Sequence, residues 1–367
     1  MKETKLRCII CGEELTPDTA RIFDNTIYCE DCLDEATVYC DNCGTLVLRE
    51  LSRTDSCNDT VLCMDCYNEY YYTCEDCGRI IRQEDAYYLD DYEEYPYCLR
   101  CYENKQNHKK IHDYCYRPSP VFYGDSARYF GVELEVDDGG HDDSNASVIL
   151  DIANNSEDRI YIKSDGSLDD GFEIVTHPMS LEYHINTMPW LEIMDELIDM
   201  GYLSHKTLTC GLHCHVNRTA FGETREEQET AIGRVLYFVE HHWDKMLRFS
   251  RRTEGQMQRW AARYGIKDKP RELMDGIKKG YHDRYRCINL LNSATIEFRM
   301  FRGSLKYNTF IATLQFVNEI CNVAVLLSDE EMTELTWRNF VLQIDKKQNP
   351  ELITYLKERS LFACEEE

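Results

Sequence analysis

Residues 129–136 read Tyr129-Phe130-Gly131-Val132-Glu133-Leu134-Glu135-Val136, an apolar, β-branched stretch with two acids spaced at the strand period of two. Alternate side chains of a strand point to the same face, so Glu133 and Glu135 share one. Two carboxylates a few ångströms apart on a half-buried surface repel each other and lose hydration, and a cation between them relieves both costs. A divalent metal is the simplest candidate. An isolated Glu-x-Glu more often marks the wet face of an edge strand, but later stretches repeat the pattern. Thr295-Ile296-Glu297-Phe298-Arg299-Met300-Phe301 sets Glu297 and Arg299 on one face, and Gly211-Leu212-His213-Cys214-His215-Val216 does the same for His213 and His215. Two short apolar segments, 160–168 and 171–175, add Lys163, Asp165 and Glu173. One sheet face is thus expected to carry acids, histidines and an arginine.

The chain has 367 residues, 43% of them hydrophobic, enough for one large core plus small modules. Its formal charge of −26 argues against a nucleic-acid backbone as main partner, since phosphate binding draws on Lys and Arg. Met1 to Cys8 lacks the apolar centre of a signal peptide, and no apolar run reaches the roughly 20 residues of a membrane span. A cytoplasmic protein without a membrane partner is expected.

Twelve of the nineteen cysteines form six Cys-x-x-Cys pairs, a spacing that suits zinc in a reducing compartment better than disulfides. Cys8/Cys11 with Cys29/Cys32, Cys40/Cys43 with Cys63/Cys66, and Cys74/Cys77 with Cys98/Cys101 are three copies of one unit, starting 32 and 34 residues apart. A glycine follows each first pair (Gly12, Gly44, Gly78), the intervening residues read as a hairpin with Asp24-Asn25 as one turn, and each second pair opens a short helical stretch. These units resemble zinc ribbons or half LIM domains. Sequential pairing would close three four-thiolate Zn²⁺ sites, structural because no position stays open, and zinc would supply much of each small module's stability. Residues 1–104 hold 9 Lys+Arg against 24 Asp+Glu, a formal −15 to which zinc-bound thiolates would add −6. The modules are therefore expected to contact protein rather than DNA, with tyrosines such as Tyr70-Tyr71-Tyr72 available for that surface.

The expected domains are modules 1–36, 37–70 and 71–104, a linker 105–126 broken by Pro118 and Pro120, a large domain 127–362, and an acidic tail 363–367. His108, His112 and Cys115 would share one helical face in that linker. Asp137–Asp143 lacks calcium-loop spacing and reads as a solvated loop beside the site. Helices are expected over 181–201, 223–249, 310–327 and 329–344, covering the sheet's other face.

Gly131-Val132-Glu133-Leu134-Glu135, Lys163-x-Asp165-Gly166-Ser167, Gly171-Phe172-Glu173-Ile174-Val175, Gly211-Leu212-His213-x-His215 and Ile296-Glu297-Phe298-Arg299 together resemble, in order and spacing, the amidoligase family. That family belongs to the carboxylate-amine ligase superfamily of glutamine synthetase and glutamate-cysteine ligase. The resemblance spans Gly131 to Arg302 and implies an α+β fold: a glutamine-synthetase-like antiparallel sheet with helices on one face. It also implies an ATP-dependent ligase that makes an amide or peptide bond through an acyl phosphate. By resemblance one Mg²⁺ or Mn²⁺ would lie between Glu135, Asp165 and Glu173, and another between Glu133, His213 and Glu297. Arg299, Glu173 and Glu297 would carry the chemistry. His215 would look toward the nucleotide, and Lys163, Arg251 and Arg252 would be further phosphate contacts. Asp165 is shorter than the glutamate of glutamine synthetase, which leaves room for a water between it and an ion. Two other readings fit the same residues: an inactive ligase-fold adaptor that recruits a partner through its zinc modules, and a metal-dependent hydrolase.

Overall fold

The computed structural model describes residues 6–55, 60–89, 95–106, 109–278 and 284–362. The chain divides into two compact units, 1–109 with 115–119, and 110–114 with 120–367.

The first unit repeats one motif three times. Each begins with a knuckle in which the glycine after the first cysteine pair donates its N–H to the leading cysteine's carbonyl: Gly12 to Cys8 at 3.0 Å, Gly44 to Cys40 at 2.8 Å, and Gly78 to Cys74 at 2.9 Å. These glycines take φ of 72°, 70° and 68°, the left-handed region where a side chain is strained. In the first module Arg21–Phe23 and Thr26–Tyr28 form the expected hairpin, with Asp24 and Asn25 both at positive φ. The second pairs open the helices Glu30–Ala36, Met64–Tyr70 and Leu99–Gln106 or lie at their starts. Cys29 and Cys63 cap the first two of these through sulfur, accepting from Cys32 N and Cys66 N. No spacer separates the modules: Thr37 and Tyr71, which terminate the first two helices, are also the first residues of the next strands.

Each module buries little beyond its cysteines and a few apolar side chains, so a bound metal must carry much of its stability. Cys40→Ser should therefore release about one equivalent of zinc and open residues 37–70 to protease, while leaving the second unit's melting unchanged. All four tryptophans (Trp190, Trp243, Trp260, Trp337) lie in that second unit, so their fluorescence reports on it alone. A coincident loss of the tryptophan transition would show that the two units fold as one.

The second unit is α+β, built on a seven-stranded sheet. Its strands are β1 (Ile111–His112), β2 (Phe130–Val136), β3 (Ile160–Lys163), β4 (Phe172–Thr176), β5 (Gly211–Asn217), β6 (Ile288–Asn289) and β7 (Thr295–Arg302), in the order β1-β3-β4-β2-β5-β7-β6. The expected antiparallel sheet is in fact mixed, because β1 runs parallel to β3. The stretch 105–126, read from sequence as a linker, thus supplies an edge strand. Ile111 is buried in the core, and Asp143 Oδ1 accepts the N–H groups of Lys110 and Ile111 at 2.9 and 2.8 Å. His112 accordingly sits on a strand rather than a helix face, and His108 lies outside the described residues.

One face of the sheet is apolar: Val132, Leu134, Ile162, Ile174, Leu212, Cys214, Val216, Ile296, Phe298 and Met300 are fully buried. They pack into one core with helices that include Arg225–His241 and Tyr307–Leu326. The latter is long and apolar enough to span a membrane by length and composition, but 72% of its apolar window is buried inside the unit, as in a core helix. The expected helix 181–201 is two, Leu181–Asn186 and Trp190–Asp199, because Pro189 has no N–H to continue the first. Likewise 223–249 divides at His242 and 329–344 at Leu335-Thr336. Asp137–Asp143 is not simply solvated. Asp137 is buried and accepts from the backbone N–H of Asp138, Asp169 and Asp170 and from Thr209 Oγ1, and Asp142 caps the helix Asp143–Asn154.

His184 lies wholly inside this core. Its Nε2 is 3.1 Å from Phe130 O, and Trp190 Nε1 donates to its Nδ1 at 3.4 Å, so Nε2 carries the proton of the neutral ring. Burial lowers its pKa to about 4, against about 6.5 in an unfolded chain. The unfolded state therefore takes up a proton first as pH falls, and stability present above pH 6.5 declines below it. Between pH 7 and 5 the loss should be roughly 2 kcal/mol, followed by tryptophan fluorescence in urea. His184→Gln should flatten that slope, and an unchanged slope would place the titration elsewhere.

Candidate metal centre and its flanking arginines

The face opposite the apolar one gathers the sequence-selected side chains through strand register. Glu133 lies opposite His213, Glu135 opposite Glu173, Lys163 opposite Glu173, and His215 opposite Glu297. Glu133 is the hub. Its Oε2 is 3.1 Å from His213 Nδ1 and its Oε1 is 3.2 Å from His215 Nε2. His213 also stands 3.8 Å from Glu135 Oε1 and 3.7 Å from Glu297 Oε1. Glu297 is held from two sides, by Asn289 Nδ2 at 2.8 Å and by a short contact with Arg299 Nη1. Glu135 accepts the Gly211 N–H.

The β5–β7 register slips between Leu212 and Cys214, so that Arg299 and Met300 together face His213. Arg299, two residues beyond Glu297 on the same strand face, keeps its guanidinium beside that carboxylate.

Two three-residue groups bring their ligand atoms within 4.8 Å of one another: Glu133, His215 and Glu297, and Glu133, Glu173 and His213. The resemblance places His213 with Glu297 and turns His215 toward the nucleotide. In the structure His215 stands with Glu297, and His213 reaches toward both groups. Asp165 Oδ1 accepts from Ser167 N at 2.7 Å and Ser167 Oγ at 2.6 Å, closing its own turn. Arg252 is buried against Gly211.

Electrostatics show why this face suits a cation. Glu135, Glu173 and Glu297 are all buried, and Lys163 is a buried positive counterpart. Burial opposes ionisation of Glu133, yet His215 and Lys163 hold its carboxyl well below the usual range. Burial and the Glu133 charge push Glu173 far up, against the pull of Lys163. Burial lowers the His215 pKa, but Glu133 and Glu297 raise it overall. Burial and the neighbouring acids thus disfavour the charge on Glu173, while Glu173 and Glu133 favour that on Lys163 against its own burial. Lys163 Nζ is 3.0 Å from Glu173 Oε2, but off the direction of a hydrogen bond, and that oxygen is buried without a directed partner. His215 Nε2 and Arg299 Nε are buried in the same condition. Buried polar atoms are normally satisfied; the Glu173 oxygen and the His215 nitrogen belong to groups that could hold a metal ion, whereas the Arg299 Nε–H is a donor that only an acceptor could satisfy.

The three cysteine quartets, Cys8/11/29/32, Cys40/43/63/66 and Cys74/77/98/101, also each bring four sulfurs together. Sulfur–sulfur distances are 3.8 Å for Cys11–Cys29, 3.9 Å for Cys43–Cys63 and 3.8 Å for Cys77–Cys98. With Zn–S bonds of about 2.3 Å a tetrahedron has edges of about 3.8 Å, so the quartets fit zinc.

Sequence reasoning missed Asn289, whose two-residue strand is too short to show a period, and the bulge beside Arg299, which has no local sequence signal.

No family model matches the chain, and no curated protein matches it.

Proposed function

We propose that the second unit is an ATP-dependent carboxylate-amine ligase with a glutamine-synthetase-like fold. The observation that carries this reading is Glu133, shared by two cation-ready groups, with Arg299 fixed beside one of them. Joining a carboxylate to an amine in water is uphill. In the proposed reaction a carboxylate oxygen attacks the γ-phosphorus of ATP and ADP leaves; the amine then attacks the acyl carbon and phosphate leaves. Mg²⁺ or Mn²⁺ bound by Glu133, Glu297 and His215, and by Glu133, Glu173 and His213, would screen the charges that otherwise keep these reactants apart.

The chain's own groups have complementary tasks. Arg299 presents a planar donor fork where phosphoryl charge develops, and Glu297 fixes its orientation. A cation held by Glu133, Glu173 and His213 would displace the proton that burial favours on Glu173, and the resulting carboxylate could then accept the proton lost by the attacking amine. Lys163 limits the negative charge around it. Glu135 and Asp165 add carboxylates to the same face. The zinc modules would recruit a protein partner or a peptide-borne substrate, and the cysteine usage suits the cytoplasm.

Isotope-labelled ATP incubated with and without a mixture of acids and amines tests the reading. ADP formation that needs both co-substrates supports a ligase. Hydrolysis of substrates without ATP supports a metal-dependent hydrolase, and no turnover at all supports the ligase-fold adaptor.

A further inference from the structure

The strand Leu46–Leu48 of the second zinc module is wholly apolar, whereas its counterparts, Glu14–Leu15 in the first module and Ile80–Arg82 in the third, each carry a charged residue. Alternate side chains of a strand point to opposite faces, and Val47 packs inward on the cluster that holds Cys40, Leu62 and Cys63. Leu46 and Leu48 therefore share the other face. All three side chains are only half-buried, and the two leucines belong to no core cluster among the described residues.

What they border is a cleft of about 480 Å³ at the junction of the first two modules. The first module contributes Phe23 and Asp24 from its hairpin, and the second adds Leu51 and Asp65 to the two leucines. Arg49, between Leu48 and Leu51 in the chain, donates from Nε to Glu35 O at 2.9 Å and so ties the second module to the helix of the first. Leu51 itself is 54% exposed. Apolar surface left in water on a module with so small a core gives up stabilisation that a covering ligand would recover.

The charges around the cleft indicate what covers it. Asp24 and Asp65 are exposed, and among the described residues neither carboxylate has a hydrogen-bond or ion-pair partner. The described cations of these two modules are engaged elsewhere. Arg7 pairs with Glu14 at 2.7 Å and Arg21 with Glu30 at 3.1 Å, Arg49 bonds the Glu35 carbonyl, and Arg53 lies over the Tyr67 ring at 5.4 Å. Residues 1–104 hold 9 Lys+Arg against 24 Asp+Glu, so nucleic acid and anionic lipid are repelled from this surface. A ligand with apolar side chains and positive charge is complementary to it.

We propose that this cleft docks a short basic-apolar segment of a protein partner, with one or more apolar side chains against Phe23, Leu46, Leu48 and Leu51 and flanking Lys or Arg at Asp24 and Asp65. The proposal rests on the reading of the zinc modules as the recruiting part of the chain and gives that partner its chemistry. It does not depend on the reaction of the second unit.

The test selects from a display library of short random peptides with the full, zinc-loaded chain and measures the selected sequences by fluorescence anisotropy. They should carry apolar residues beside Lys or Arg and a net positive charge. Leu51→Ser should weaken a selected peptide by about tenfold, the scale of uncovering one leucine side chain. Asp24→Asn combined with Asp65→Asn should weaken it by about fivefold at low salt, and the difference from the parent should vanish at high salt. Asn accepts the left-handed backbone that Asp24 takes at φ 46°, and retention of zinc at all three cysteine quartets certifies that a variant is folded. If Leu51→Ser sheds zinc, the paired Asn substitutions, both on exposed residues, carry the comparison.

Selection of acidic or purely apolar sequences, no selection at all, or binding indifferent to both sets of variants would overturn the cleft. So would self-association of the chain that is lost in Leu51→Ser, which would make this face an interface between copies. Basic-apolar peptides selected by a chain that forms no amide would support the cleft and remove the ligase. Amide formation from free acids and amines, with no peptide selected, would do the reverse.

Discussion

Glu133→Gln is expected to weaken Mn²⁺ binding at both groups of the site together, by about 100-fold or more, since even outer-shell partners of a metal typically cost 10–100-fold. Gln keeps the shape and the hydrogen-bonding length but removes the charge to which both groups contribute. The neighbouring variants should divide the effect. Glu297→Gln should weaken the group with His215, and with it metal-dependent ATP binding, and excess metal should partly restore turnover. Glu173→Gln should weaken the group with His213. Titration of the zinc-loaded protein with Mn²⁺, followed by the paramagnetic signal of the free ion, separates these cases. If Glu133→Gln binds Mn²⁺ like the parent, the carboxylates of this face are satisfied by Lys163 and the histidines alone, and no metal site exists there.

Arg299→Lys should behave in the opposite way. Lysine keeps the charge but loses the planar fork that can grip two phosphate oxygens. Metal affinity should survive, while the phosphoryl-transfer step slows by roughly 10²-fold or more, the scale of losing one transition-state donor. Added Mg²⁺ or Mn²⁺ should not rescue it, because the missing element is geometry rather than cation occupancy. Single-turnover ADP release with saturating ATP and metal reads the step directly. A variant that turns over like the parent would remove Arg299 from the chemistry.

The parts of this site that the sequence made legible are those that follow strand period. Glu133 and Glu135, His213 and His215, and Glu297 and Arg299 each alternate with residues that are buried on the apolar face, so their common face could be read from spacing alone. The cysteine modules were legible for a similar reason, since Cys-x-x-Cys-Gly dictates the knuckle and its positive φ. What the sequence did not reveal depends on partners distant in the chain. The parallel edge strand Ile111–His112 is two residues long and is held by Asp143 and β3. Asn289 becomes significant only because β6 lies against Glu297. That His215 rather than His213 lies opposite Glu297 follows from the β5–β7 register, which no local sequence pattern sets. Asp137 looked like one of a run of loop acids, and only the fold shows that its carboxylate ties together two other segments.

The most direct test of the central claim follows an oxygen atom. If the acid is activated by attack of its carboxylate on the γ-phosphorus of ATP, one ¹⁸O of a doubly labelled acid must leave with inorganic phosphate each time an amide forms. The experiment uses the full zinc-loaded chain with Mg·ATP, a pool of ¹⁸O-carboxylate acids and an amine mixture, and reads the phosphate by mass spectrometry. The account predicts one ¹⁸O per phosphate released, and none when the amine is present but the acid is omitted. Phosphate that takes its new oxygen from labelled water instead, with no label from the acid, would mean that this face hydrolyses ATP without making an acyl phosphate and would contradict the ligase reading.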